Sequence, residues 1–215
     1  MSEIKRANAI ELDTHSLRDK LSQLASRESI HQWGLGAACS TDSSVQIDRG
    51  EAKQMKGAQR SSITVRVWNN KGLVGITSTS DLSEKGIEKA LIGARQASDF
   101  GNADDVPAFS TLAKSPLPKL ERPLRPAQGI QRMLEVLKEA EADLLSRHPS
   151  IQSIPYNGLG EATYERVYLN SDGALRQMKR SQASLYLFAR AEESGRKPRS
   201  GGAIRLALGS HDLDI

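Results

Sequence analysis

Ser61-Ser62-Ile63-Thr64-Val65-Arg66-Val67-Trp68-Asn69-Asn70-Lys71-Gly72-Leu73-Val74-Gly75-Ile76-Thr77 is the stretch that decides the fold. Ile63, Val65 and Val67 fall two residues apart, so they share one side of an extended chain. Asn69 to Gly72 is a turn signal, and Leu73 to Thr77 is the return strand. A helix follows directly. Asp81 and Glu84 stand at capping-box spacing with Asp81 as the cap. Ile87, Ala90, Leu91, Ala94, Ala97 and Ser98 then fall on one face, and the small residues among them let the helix lie close against a sheet.

Upstream, Asp13 or Thr14 caps a first helix that runs to about Ser29, with Leu17, Leu21 and Leu24 as its buried stripe. Trp33 to Ser40 is an apolar, Gly-rich strand. Ser43 to Lys56 alternates loosely around Val45, Ile47 and Met55. Downstream, Gly101 to Gln128 holds five of the eight prolines and reads as a long surface connection. A helix from Ala127 to Arg147 carries Ile130, Met133, Leu134, Leu137, Ala140, Leu144 and Leu145, and His148-Pro149 ends it. The period then returns to two. Ile151–Leu159, Ala162–Leu169, Leu175–Ala191 and Ala203–Leu208 read as four strands, with a turn at Asn170-Ser171-Asp172-Gly173 and a Gly/Ser/basic loop from Ser194 to Gly202.

Strands in runs joined by short turns predict an α+β fold with mainly antiparallel sheets and three main helices. The organisation expected is an α+β subregion over 1–105, a proline-rich connection over 106–126, and a helix with antiparallel strands over 127–215. Asp212 and Asp214 look like the start of a further helix, so the chain reads as a fragment.

A chain of 215 residues with 38% hydrophobic and 26% charged residues can bury a real core. No apolar run reaches the roughly 18–20 residues of a membrane span. Met1 to Asp13 has no signal-peptide core. The single cysteine, Cys39, excludes an internal disulfide and suits a reducing compartment, so a cytoplasmic location is expected. The formal charge is only +4, from 30 basic and 26 acidic residues. It is concentrated between Ala174 and Arg205, where eight basic residues meet only Glu192 and Glu193. Such a stretch can attract phosphates or acidic peptides, although the plainer reading, a solvated face of a strand pair, is preferred.

Catalytic motifs are not found. His15, His31, His148 and His211 lack partners at metal-site spacing, and there is no HExxH, CxxC, GxSxG or Walker loop. Gly34 and Gly36 lack the third glycine of a nucleotide fingerprint. Cys39 reads as a buried small hydrophobe, and Trp33 and Trp68 as packing aromatics by default. From the residues alone, a binding, positioning or assembly role is expected rather than autonomous catalysis.

The segment Ser44-Val45-Gln46-Ile47-Asp48-Arg49-Gly50-Glu51, then Ile63 to Trp68, then Lys71 to Thr77 with Ser78-Thr79-Ser80-Asp81-Leu82-Ser83 before the small-residue helix, resembles the N-terminal domain of the TldD/PmbA family. Tyr168-Leu169-Asn170-Ser171-Asp172-Gly173 resembles the family's xNSxG hairpin. Ala191 to Gly195 with Ser200-Gly201-Gly202 resembles its next strand and glycine loop. The STSDLS wording is closer to the PmbA (TldE) branch. Arg60-Ser61-Ser62 departs from the glycine that members often carry before Ile63. The resemblance implies a component of a cytosolic metalloprotease for peptides or unfolded proteins. It further implies pairing with a TldD-like or PmbA-like subunit, as homo- or heterodimer. Zinc is implied only for a TldD-like C-terminal domain carrying HExxxH, absent from this chain, so no cofactor, metal ligand or catalytic residue is expected here. Expected peptide contacts are Arg66, Trp68, Arg196, Arg199, Gly201 and Gly202. Two other readings stand beside it. One is a gyrase-associated or nucleic-acid-binding regulator, suggested by the basic stretch and the family's alternative name, modulator of DNA gyrase. The other is a purely structural dimerisation module.

Overall fold

The computed structural model describes residues 12–101 and 123–213. The elements are α1 (Thr14–Arg27), β1 (Gln32–Asp48), β2 (Glu51–Trp68), β3 (Val74–Thr79), α2 (Glu84–Ser98), α3 (Ile130–Ser146), β4 (Ile151–Asn170), β5 (Leu175–Ala191) and β6 (Arg199–Ala207), with a 3-10 turn at Ser210–Asp212. The strands form one six-stranded antiparallel sheet in the order β3-β2-β1-β4-β5-β6. Among the described residues the expected α+β class with three helices is therefore observed. Most of the proline-rich connection lies outside the described residues.

Three strands are longer than the sequence suggests, β1, β2 and β4 running for 17, 18 and 20 residues, while β5 spans Leu175–Ala191 as expected. Ile151–Leu159 and Ala162–Leu169, expected as two strands, are one. Gly158 and Gly160 read as a break, but Gly158 makes room for Tyr186: a Cβ there would lie 2.6 Å from its ring. β1 likewise runs on through polar Thr41-Asp42-Ser43-Ser44, because β2 and β4 flank it and its backbone groups stay paired. Arg49 and Gly50 join β1 to β2 with φ of 51° and 77°, the pair of positive angles a two-residue hairpin turn needs. Met55, expected as an apolar anchor, is 56% exposed.

The chain forms two compact units, each gathered from three segments. The first comprises 1–40, 60–121 and 164–179; the second comprises 41–59, 122–163 and 180–215. In the first, Ile63, Val65 and Val67 are buried with Trp33, Leu35 and Ala37 of β1, Leu21 of α1, and Ile87 and Leu91 of α2. Each such aliphatic side chain contributes about 1.5–3 kcal/mol by leaving water. Asp13 caps α1 as expected, accepting from Ser16 N at 3.0 Å. The cap of α2 is Ser83, not Asp81: Ser83 Oγ accepts from Gly86 N at 3.2 Å. Asp81 folds back instead to accept from Ser83 N, and hydrogen bonding from the Ser83 side chain first, then from its backbone N–H, holds the Asp81 carboxyl below the ordinary range. Of the expected α2 stripe, Ala97 is only half buried, while Gly86 joins the buried face. Both turn signals hold: Gly72 N and Gly173 N donate to the carbonyls of Asn69 and Asn170, and both glycines have positive φ.

In the second unit, Val45, Ile47, Leu159, Ala183 and Leu185 pack against Met133, Leu134, Val136 and Leu137 of α3. Leu144 and Leu145 are half buried rather than core. Buried polar side chains tie the strands to their surroundings. Asn157 accepts from Ile47 N and donates to the carbonyls of Ile47 and Ile154, each at 2.9 Å. Glu141 of α3 accepts from Gly50 N in the β1–β2 turn at 2.6 Å. Glu161 accepts from Gln128 N at 2.9 Å, and from the backbone and hydroxyl of Ser210.

The packing of α2 on β3 depends on Gly75, where a Cβ would lie 1.9 Å from Ala94 O and 2.3 Å from Ser98 N. Gly75→Ala is expected to cost about 2–4 kcal/mol in urea unfolding. Gly36→Ala, which meets nothing within 4 Å, is expected to stay within about 1 kcal/mol. Burial pushes the Cys39 thiol above its ordinary 9.0, and the charge of Glu165 pushes the same way. The native state then holds that proton longer than the unfolded chain. Its contribution is fully present below pH 9.0 and is lost as pH rises through the folded value. Cys39→Ala should flatten that alkaline decline in unfolding curves. Native Cys39 should also alkylate at least ~100-fold more slowly than the thiol in denaturant.

Candidate functional site

β5 and β6 pair so that Leu185 faces Arg205, Leu187 faces Ala203 and Ala189 faces Gly201. Directly opposed residues of an antiparallel pair project to the same side of the sheet. These six side-chain positions therefore share one face, the face on which Leu185 joins the α3 core. α3 does not cover this face fully. Between Ala140, Asp143, Leu144 and Arg147 of the helix and the β5–β6 ladder runs an open groove of about 330 Å³. Gly201 and Ala203 keep the strand wall of the groove low.

Charge in the groove is uneven. Asp143 is held by Arg147, one turn later on α3, with Arg147 Nη2 to Asp143 Oδ2 at 2.7 Å. Among the described residues Arg205 has no carboxylate partner; its guanidinium reaches only the carbonyl of Ile204, at 3.4 Å. The groove is thus an apolar floor with one uncommitted cation at its strand side. A second, small hollow of about 40 Å³, lined among others by Arg125, Glu161, Ser181 and Leu208, is about the size of a water molecule. Its carboxylate is already engaged by the donors described above.

The six contact residues expected from the sequence do not gather in one place. Arg66 and Trp68 belong to the first unit; Arg196, Arg199, Gly201 and Gly202 belong to the second. Arg66 is exposed on β2, opposite Ile76. Trp68 is only 7% exposed and packs near Gly34, and its buried indole N–H has no hydrogen-bond partner among the described residues. Arg196 sits in the β5–β6 connection and pairs with Glu193 at 3.0 Å. Arg199 to Gly202, read as loop, are the first residues of β6. Gly202 is a close-approach glycine, since a Cβ there would lie 2.3 Å from Leu187 O.

Sequence reasoning missed Asp143, Arg147 and Arg205 as a group. The i, i+4 spacing of Asp143 and Arg147 was a readable signal, but the approach of Arg205 depends on strand pairing. The basic stretch 174–205 is divided between the two units. Lys179 reaches Glu165 at 3.5 Å and Arg190 reaches Glu192 at 2.8 Å. His148 Nδ1 accepts from Ser150 N at 3.1 Å. Among the described residues no three His, Cys, Asp or Glu side chains are placed to hold a metal ion. No described helix is long and apolar enough to cross a membrane.

Residues 40–98 match the family model described as PmbA/TldA metallopeptidase domain 1, and residues 125–214 match the PmbA/TldA metallopeptidase central domain. A search of curated proteins by sequence finds no match. Three solved structures share the fold. A protein of Bacteroides thetaiotaomicron VPI-5482 named a modulator of DNA gyrase has a TM-score of 0.77 and 17% identity, covering 95% of this chain and 47% of its own. One of Thermotoga maritima MSB8 with the same description has a TM-score of 0.70 and 16% identity, covering 93% of this chain and 44% of its own. TldE from Thermococcus kodakarensis has a TM-score of 0.65 and 13% identity, covering 89% of this chain and 42% of its own. The chain spans less than half the length of each. Two successive domain models of one family match in order over more than half of its residues, and the chain belongs to the PmbA/TldD metallopeptidase family.

Proposed function

We propose that this chain forms the substrate-enclosing and subunit-pairing part of a TldE-like component of a cytoplasmic metalloprotease acting on peptides or unfolded proteins. Family membership supports the peptidase context. The observation that carries the binding role is the open groove between α3 and the β5–β6 ladder, an apolar trough beside an outermost strand. Extended peptides are commonly held in such places, by backbone hydrogen bonds to a strand edge and by pockets for alternate side chains.

Among the described residues no three His, Cys, Asp or Glu side chains form a set that fits zinc. In this reading water activation belongs to a HExxxH-bearing domain, and these residues bind and orient. The groove positions an extended segment, with the side chains of one face lying along it beside Arg205, and β6 fixes the direction of the backbone. The division and local pairing of the basic residues favour this over a phosphate-binding face.

Fluorescence anisotropy with a labelled pool of unfolded-protein peptides tests the reading, alongside sedimentation with and without a TldD-like subunit. Saturable binding in the range of about 10–100 µM is expected, with a complex forming between the subunits. A complex without peptide affinity would leave only the structural pairing role. Binding to duplex DNA that falls steeply with salt would favour the regulator instead.

A further inference from the structure

We infer that the free edge of β6 takes up an extended peptide whose residues alternate acidic and apolar, with an acidic side chain on Arg205. This rests on the peptide-binding reading above and specifies its ligand.

Three edges of the sheet can be compared. Glu51 to Arg60 is the part of β2 that lies beyond its pairing with β3, and it carries Lys53 and Lys56 among almost wholly exposed residues. Charged side chains along an edge of this kind discourage a further strand. β3, the outermost strand on that side, is six residues long and has no charged side chain to select a partner. β6 differs from both. It is exposed along nearly its whole length, and Ser200-Gly201-Gly202-Ala203-Ile204 contains no charge and no proline. Among the described residues no other strand faces its outer backbone edge. The one defence is a pair of arginines near its ends.

The two faces of β6 differ, and the difference sets the ligand's pattern. Arg199, Gly201, Ala203 and Arg205 point to the groove side, following the register with β5. Ile204 and Leu206 point to the other side, where they are 59% and 68% exposed. A strand laid beside β6 places alternate side chains next to these two rows. On the groove side they meet the uncommitted guanidinium of Arg205, and a carboxylate is its natural partner. On the other side they meet two bare aliphatic side chains, which favour Val, Ile or Leu.

The same charges argue against a second copy of β6 as the occupant. Antiparallel self-pairing centred on Ala203 would set Arg205 opposite Gly201 of the other copy and diagonal to its Arg199. Four arginines would then crowd one face, and like charges across a strand pair are unfavourable.

The test uses the full chain and short labelled peptides read by anisotropy. One alternates Glu with Val or Leu. The others replace its Glu with Gln, replace its Glu with Lys, or keep Glu but N-methylate every second backbone amide. The Glu peptide should bind about tenfold more tightly than the Gln peptide at low salt, with the gap shrinking as salt rises. The N-methylated peptides, made in both phases of the alternation, should lose binding in one phase. Arg205→Glu should reverse the preference towards the Lys peptide, and Arg205→Lys should keep it. Equal binding of the Glu and Gln peptides, or no effect of Arg205→Glu in a chain with unchanged circular dichroism, overturns the acidic preference. Indifference to N-methylation in both phases overturns strand addition. If the unfolded-peptide pool still binds in either case, the broader peptide reading survives. If nothing binds, both fall. Self-association of the unsubstituted chain that Arg205→Glu strengthens would instead assign the edge to a second copy and overturn the proposal.

Discussion

Backbone pairing along strands of 17 to 20 residues constrains everything else in this chain. β1 and β4 have neighbours on both sides, so a break in either would orphan donors and acceptors on two more strands. The side chains along them are far from uniform. β1 passes from Trp33 and Leu35 through Thr41 to Ser44 before reaching Val45 and Ile47. The ladder tolerates that polar middle because the backbone is satisfied whatever the side chain is. One strand can therefore serve two separate hydrophobic clusters, one with α1 and α2 and another with α3.

Buried polar side chains complete what the ladder leaves open. Asn157 brackets Ile47 with a donor and an acceptor, and Glu141 and Glu161 accept from backbone amides outside the regular pairing. A buried carboxylate is costly unless its oxygens are engaged. Here each holds a connecting segment: Glu141 the β1–β2 turn, Glu161 the stretch before α3 and the Ser210 turn. Their removal would leave amides without partners, a loss of about 1–3 kcal/mol each.

Local chemistry made much of this legible. Ile63, Val65 and Val67 share a buried face, as their spacing says, and the two Asn-x-x-Gly turns fall where they were expected. What could not be read was decided by distant partners. Gly158 and Gly160 look like a break until Tyr186 is placed over Gly158. Asp81 looks like a helix cap until Ser83 takes that role and Asp81 turns back on the chain. Arg199 to Gly202 look like loop because glycine and arginine rarely signal a strand, yet pairing with Phe188 to Ala191 makes them one. The candidate site was legible only in part for the same reason. Gly201 and Gly202 were found by their resemblance to a family loop, whereas Arg205 gained its significance only when α3 and β5 were set beside it.

That strand also shows why a site can lie where the local signals are weakest. A good strand sequence, rich in branched and aromatic residues, would make an exposed edge prone to indiscriminate pairing. β6 has two adjacent glycines at its centre, which lower its own propensity and strip away side chains that would obstruct a neighbour. Its pairing to β5 is held from the β5 side, where Leu185 and Leu187 belong to the α3 cluster. The result is a backbone edge fixed by its neighbour's packing and left open on its outer side, with selectivity resting on a few flanking side chains. Affinity from such an edge is general, because every peptide has a backbone; discrimination must come from charge and from the alternation of the two faces.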